Sequence, residues 1–316
     1  MSYMGVQIDY LLLLQHFRDV TGGHLDAIFS VITYFGQILI PILVSAFIYW
    51  CVNKKYGAFI ILNGAFAVMF NQLLKNFACI YRPWVLDSRI KPVQSALYAS
   101  SGYSFPSGHT SIATSCWGAI AKIWSKNKIL VVSMTLLILA VAFSRNYLGV
   151  HTPQDVIVSL VLGVAILFGA DRVLNWVDES KNRDLFLAVA VSVFGIIVIL
   201  YSYLKSYPMD YVNGKLLVNP YHCKLESFPK CGYLIGVFLG WLLERRFVKF
   251  EATLTTIKDK IKRYFMGVIP LIILTCFTCS YCEMFLGHHV GRFVTFFLVG
   301  FYMTFIYPLC IKKFKV

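Results

Sequence analysis

Three short polar clusters have residue types and spacings that could hold and cleave a phosphate ester. They are Lys75 with Arg82 and Pro83, then Pro106-Ser107-Gly108-His109, then Ser144-Arg145 with His151 and Asp155. Each sits at the end of a hydrophobic stretch. A charged group beside a membrane core needs a polar partner, and phosphate suits three cations and two histidines. Lysine supplies a point charge and arginine a planar fork that grips two oxygens at once.

The middle cluster reads as a helix start, with Pro106 suited to the first turn and an apolar run from Ile112. Ser107 and Gly108 then offer backbone N–H groups to an anion, and His109 stands close enough to exchange a proton with it. The plain alternative is an ordinary helix start. In the third cluster Thr152-Pro153 reads as a cap followed by a first-turn proline, with Asp155 in the same turn. A carboxylate there can accept from one ring nitrogen of His151 and leave the other as a nucleophile. A turn histidine merely paired with Asp155 would leave Arg145 without a partner. Lys75 and Arg82, seven residues apart, share one side if the helix persists for about two turns. Alone they would read as residues snorkelling at a membrane edge.

The elements that must carry these residues are membrane helices. The 316 residues are 58% hydrophobic and 14% charged, with a mean hydropathy of +0.69, more apolar surface than one soluble core can bury. Windows of about 20 apolar residues place spans near 26–50, 56–76, 107–124, 128–148, 155–177, 184–205, 231–247, 264–284 and 291–311. The expected fold is therefore all-α, a polytopic bundle of about nine spans. No signal peptide is evident, and residues 8–19 read as a helix lying in the interface. The chain divides into an interfacial segment 1–25, a core 26–180 with all three clusters, and C-terminal spans 181–316.

The net charge of +14 could suggest nucleic acid, but its distribution points to a membrane. Lys54 and Lys55, then Lys122, Lys126 and Lys128, then Arg172, Lys181 and Arg183, then Arg245 to Arg263, then Lys312, Lys313 and Lys315 fall in alternate connections. That is the positive-inside pattern, with the three polar clusters on the outer face. Cys223 and Cys231 share an outer loop and could pair. Cys276, Cys279 and Cys282 read as small packing residues rather than cluster ligands, and His288 and His289 as interface residues in a short turn.

Lys-x6-Arg-Pro, Pro-Ser-Gly-His and Ser-Arg-x5-His-x3-Asp, in this order, resemble the three signature motifs of the type 2 phosphatidic acid phosphatase superfamily. The resemblance covers roughly residues 56–175. It implies that Lys75, Arg82, Ser107, Gly108 and Arg145 bind the phosphoryl group. His151 would be the nucleophile, His109 the general acid and Asp155 the partner orienting His151. Trp84-Val85-Leu86-Asp87 is also similar to a string in glucose-6-phosphatase, whereas Asp155 is typical of the lipid phosphatases.

The expected activity is metal-independent and cofactor-free hydrolysis of a lipid phosphomonoester or pyrophosphate at the outer membrane face, through a phosphohistidine. Hydrolysis of a soluble sugar phosphate, phosphotransfer to another alcohol, and phosphate or lipid transport without chemistry are the alternatives. The expected partners are the lipid phosphate and membrane lipids, with no nucleic acid; oligomeric state carries no sequence signal. A bacterial inner membrane or the endoplasmic reticulum fits, with the site extracytoplasmic or luminal.

Overall fold

The computed structural model describes residues 3–314 except 99, 213, 253 and 255, with the side chains of 3, 277 and 279 also outside the described set. The chain gathers into two compact units. One holds Met1–Pro41, Phe70–Ile166 and Lys205–Cys223; the other holds Ile42–Met69, Leu167–Leu204 and Lys224–Val316.

The first unit contains α1 (Tyr3–Val20), α2 (Asp26–Tyr34), the end of α4 (Lys54–Ala78), two single turns α5 (Pro83–Leu86) and α6 (Gln94–Leu97), α7 (Gly108–Ile123), α8 (Lys128–Tyr147) and the start of α9 (Pro153–Asp178). A small hairpin, β1 (Tyr211–Val212) with β2 (Lys215–Leu216), completes it. The Asn127 side chain accepts from Leu130 N and starts α8, which packs along α7 and α2. Gly149, at φ +73°, makes the left-handed turn after α8 that leads to His151. Gly163 lets α9 close on α7, since a Cβ there would lie 2.7 Å from the Thr114 side chain. The α1 helix braces the region: Gln7 and Gln154 bond at 3.3 Å, and Arg18 donates to Lys91 O.

The second unit contains α3 (Leu39–Cys51), the start of α4, the end of α9, α10 (Arg183–Leu204), α11 (Pro220–Leu243, from Lys224 onward), α12 (Ile257–Phe301) and α13 (Tyr307–Phe314). Gly232, Gly236 and Gly240 recur every four residues on α11. A Cβ at any of them would stand 2.1–2.2 Å from Phe293 O, Phe297 O or Thr304 Oγ1, so the glycines let two backbones touch. Glu244, almost fully buried, is matched by Lys54 at 3.1 Å and by the Phe250 amide at 2.9 Å.

Nine spans are not supported. Among the described residues five helices are long and apolar enough to cross a membrane: Lys54–Leu86, Lys128–Tyr147, Pro153–Asp178, Arg183–Leu204 and Ser280–Phe314. The pair Asp26–Tyr34 and Leu39–Cys51, bent by 41°, makes a sixth if it counts as one. The expected span 107–124 is instead α7, 16 residues whose buried positions include Thr110, Ser111, Thr114 and Ser115, so its inward face is polar. The expected 231–247 is divided between α11, which ends at Leu243, and a π-helical turn Glu244–Val248 that carries Glu244, Arg245 and Arg246. The expected 264–284 includes 277 and 279, whose side chains lie outside the described residues. The turn expected near His288 is a kink at Gly287 inside α12, and His288 Nδ1 pairs with Glu283 at 2.6 Å. Cys223 and Cys231 are free thiols on α11. Eight residues of helix separate them by about 12 Å, beyond disulfide reach.

Candidate active site

Every motif residue named from the sequence falls in the first unit, at helix ends that meet. Lys75 stands in the last turn of α4. The helix does not persist to Arg82, because Cys79 turns left-handed at φ +50° and the chain becomes extended at Arg82. Arg82 reaches the site from that turn, its guanidinium 5.8 Å from the Trp84 ring. Arg145 lies two residues before the end of α8, and Asp155 in the first turn of α9.

At the centre is His151, 2% exposed. Its Nδ1 lies 3.2 Å from Asp155 Oδ2 and 3.3 Å from Ser104 Oγ; its Nε2 lies 3.0 Å from Arg82 Nη1. A guanidinium can only donate, so Nε2 presents its lone pair and the ring proton sits on Nδ1, facing the carboxylate. Asp155 Oδ2 also accepts from Thr152 N at 2.8 Å and from Ser104 Oγ, while Thr152 Oγ1 accepts from Asp155 N at 3.4 Å. The cap that starts α9 therefore also aims the carboxylate. Asn146 Nδ2 holds the His151 carbonyl at 2.8 Å, and Arg82 Nη1 bonds Val150 O at 3.0 Å.

Helix α7 begins at Gly108 with Ser107 as N-cap, so Pro106 lies just outside the first turn. The Ser107 hydroxyl accepts from Thr110, and its amide donates to Asp155 O at 3.2 Å. That amide is thus occupied, and the amides of Gly108 and His109 head the helix in its place. A Cβ on Gly108 would meet Asn71 Oδ1 at 3.8 Å, an ordinary contact, so the protein itself has room for one there. At Gly36 a Cβ would stand 2.8 Å from His109 O, so this glycine admits the chain after α2 against the start of α7.

Arg145, 1% exposed, donates to Thr33 Oγ1 at 2.7 Å and to Ser100 Oγ at 3.2 Å. Its Nε and His109 Nε2 are buried and find no hydrogen-bond partner among the described residues. Buried polar atoms are nearly always bonded, and the exceptions point to a ligand or a catalytic role. Lys75 and Arg82 are also buried, so the motif residues set three buried cations against one carboxylate.

Sequence reasoning missed Ser104, Asn146, Thr33 and Ser100, whose signal is spatial; only Asn146, beside Arg145, was within local reach. Burial, then the charges of Arg82, Arg145 and Lys75, hold His151 well below the usual imidazole range. The ring is therefore neutral at physiological pH. For a nucleophilic His151, the acid limb of kcat/KM that reports protonation of Nε2 is expected below ~6.5, because burial and the neighbouring cations hold that ring neutral. A pH–rate profile checks this; an acid limb at or above the usual imidazole value would contradict it.

The family profile described as PAP2 superfamily matches residues 54–179, and the profile described as PAP2 superfamily phosphatase, transmembrane extension, matches residues 228–316. Among curated proteins the chain is similar to an undecaprenyl-diphosphatase of Sulfolobus acidocaldarius, 28% identical over 116 residues, covering 37% of this chain and 54% of that one. It is also similar to phosphatidylglycerophosphatase B of Bacillus subtilis, 27% identical over 171 residues, covering 50% of this chain and 78% of that one. No solved structure matches the chain significantly.

Proposed function

We propose, for a multi-pass membrane protein that belongs to the PAP2 superfamily and carries its transmembrane extension, that the site hydrolyses a lipid phosphate or pyrophosphate through a phosphohistidine on His151. One observation carries this reading: a buried excess of cations surrounds an imidazole whose unprotonated Nε2 faces Arg82. Such a place favours an anion and sets a nucleophile against it.

In this reading the phosphoryl group replaces His151 Nε2 as the partner of Arg82. Arg145 Nε, Lys75 and the amides of Gly108 and His109 take its other oxygens. Nε2 attacks phosphorus, and the bond to the leaving oxygen breaks as His109, which takes up a proton from solvent when the phosphate dianion binds beside it, gives that proton to the leaving oxygen. Asp155 supports the positive ring through Nδ1–H. Water then attacks the phosphohistidine while His109 takes the proton, the P–N bond breaks, and phosphate leaves. Charge stabilisation and alignment, the main demands of phosphoryl transfer, come here from side chains and amides.

A lipid substrate is supported by the two relatives, one named for undecaprenyl diphosphate and the other for phosphatidylglycerophosphate. A second reading, hydrolysis of a soluble sugar phosphate, draws on the Trp84–Asp87 string beside Arg82. The test is phosphate release by purified protein from phosphatidate, phosphatidylglycerophosphate, an isoprenoid diphosphate and glucose 6-phosphate, with and without vanadate and a chelator. Turnover of a lipid substrate that vanadate stops and the chelator spares is expected. Turnover of glucose 6-phosphate alone selects the second reading, and none at all refutes both.

The site is proposed to face the extracytoplasmic or luminal side. Lys122, Lys126 and Lys128 lie at the ends of α7 and α8 remote from Ser107 and Arg145, as positive-inside placement requires. In a background whose native cysteines are removed, Tyr98→Cys, at a position 86% exposed, is expected to react with an impermeant thiol reagent from outside, and Lys126→Cys only after permeabilisation. The reverse pattern would place the reaction on the cytoplasmic face.

A further inference from the structure

The segment Lys205–Val218 lies outside both matched regions, after α10 and before α11, yet it is fastened to the end of α4 that carries the first motif. Lys205 Nζ donates to Asn76 O at 2.6 Å and to Phe77 O at 3.0 Å, the carbonyls directly after Lys75. Its ammonium also lies 5.8 Å from the Phe77 and Tyr207 rings. Five residues on, Asp210 Oδ2 accepts from Tyr81 OH at 2.5 Å, directly before Arg82. Between these ties Tyr207 stacks on Tyr103, ring centroids 6.3 Å apart, and Ser104 N bonds Ile80 O at 2.7 Å. Ser104 in turn touches both His151 and Asp155.

We propose that Lys205 and Asp210 are positioning residues, which grip both ends of the turn 76–82 so that Lys75 and Arg82 face the same phosphoryl group. The role rests on the phosphatase reading above. The physical need is clear from the charges. Lys75, Arg82 and Arg145 are buried groups of like charge, and the turn between the first two contains a non-glycine residue at positive φ. Helix α4 also ends in carbonyls without helical partners, where a cation is stabilising. Lys205 meets that demand from outside the motif, and the Asp210–Tyr81 bond fixes the other end.

The test uses the full chain in lipid nanodiscs. Lys205→Met and Asp210→Ala are expected to speed hydrogen exchange at the amides of residues 76–82. They should also lower kcat/KM and vanadate affinity together by roughly tenfold, as small misplacements of binding groups do. Lys205→Arg, which keeps the cation, should restore most of both. Unchanged exchange at 76–82 in Lys205→Met overturns the clamp whether or not the protein is a phosphatase. Faster exchange with unaltered kcat/KM and vanadate affinity overturns the positioning role and leaves the activity standing. A wild type that releases no phosphate removes the functional reading alone, while the exchange result still decides the clamp.

Discussion

His151→Gln is expected, on the proposed mechanism, to lose at least about four orders of magnitude in phosphate release, the scale seen when a covalent nucleophile is removed. The glutamine amide reaches a similar depth and can accept from Arg82 through its oxygen, so the buried shell around Arg82 and Ser104 keeps its partners. What it lacks is a basic lone pair on nitrogen able to form and then release a bond to phosphorus. Unaltered circular dichroism and thermal unfolding would show that the fold persists. Wild type mixed with radiolabelled substrate and quenched in base should retain label on His151, since a phosphohistidine survives alkali and not acid. Turnover by His151→Gln within tenfold of wild type would move the nucleophile elsewhere.

Asp155→Asn should be nearly as damaging, by roughly three orders of magnitude, and for a reason specific to this geometry. Oδ2 gathers donors from His151 Nδ1, Ser104 Oγ and Thr152 N. An asparagine with its oxygen in place of Oδ2 keeps these donors but not the charge that supports a positive ring; with its amide nitrogen there, it turns a donor towards Nδ1. The ring answers by moving its proton to Nε2, where Arg82 Nη1 already points a hydrogen at 3.0 Å. Two donors then face each other and the proposed nucleophile is gone. Nitrogen NMR of labelled histidine separates this from unfolding, because the tautomer of His151 should reverse while the dispersion of other signals holds. A variant that keeps the wild-type tautomer and loses activity would assign Asp155 a different task.

The parts of this site that the sequence made legible are those coded by short spacing. The Thr152-Pro153 cap with Asp155, and the proximity of Arg145 to His151, follow from turn chemistry and hold in three dimensions. Contacts across long separations left no local trace: Thr33 on Arg145, Ser104 on His151, and Gly36 against His109 are 112, 47 and 73 positions apart. Occupancy was also hidden. Ser107 has the residue type of an anion donor, but its amide is taken by a carbonyl from another helix. Span counting failed where hydropathy averages conceal polarity on one face, as along α7, or a break such as that after Tyr34. The glycines at 232, 236 and 240 were visible as letters, but their meaning needed the opposing α12 backbone.

Helix α8 ties the chemistry to the thickness of the bilayer. It runs for 20 residues from Lys128 to Tyr147, about 30 Å of rise, and a typical hydrocarbon core is also about 30 Å deep. Lysines 126 and 128 stand at one end, and Arg145 and His151 follow at the other. In a thicker bilayer the imidazole is drawn below the plane of the lipid phosphates, and in a thinner one it is lifted clear of them. Turnover in vesicles of graded acyl-chain length should therefore pass through a maximum, with the protein acting as a gauge of the membrane it works in.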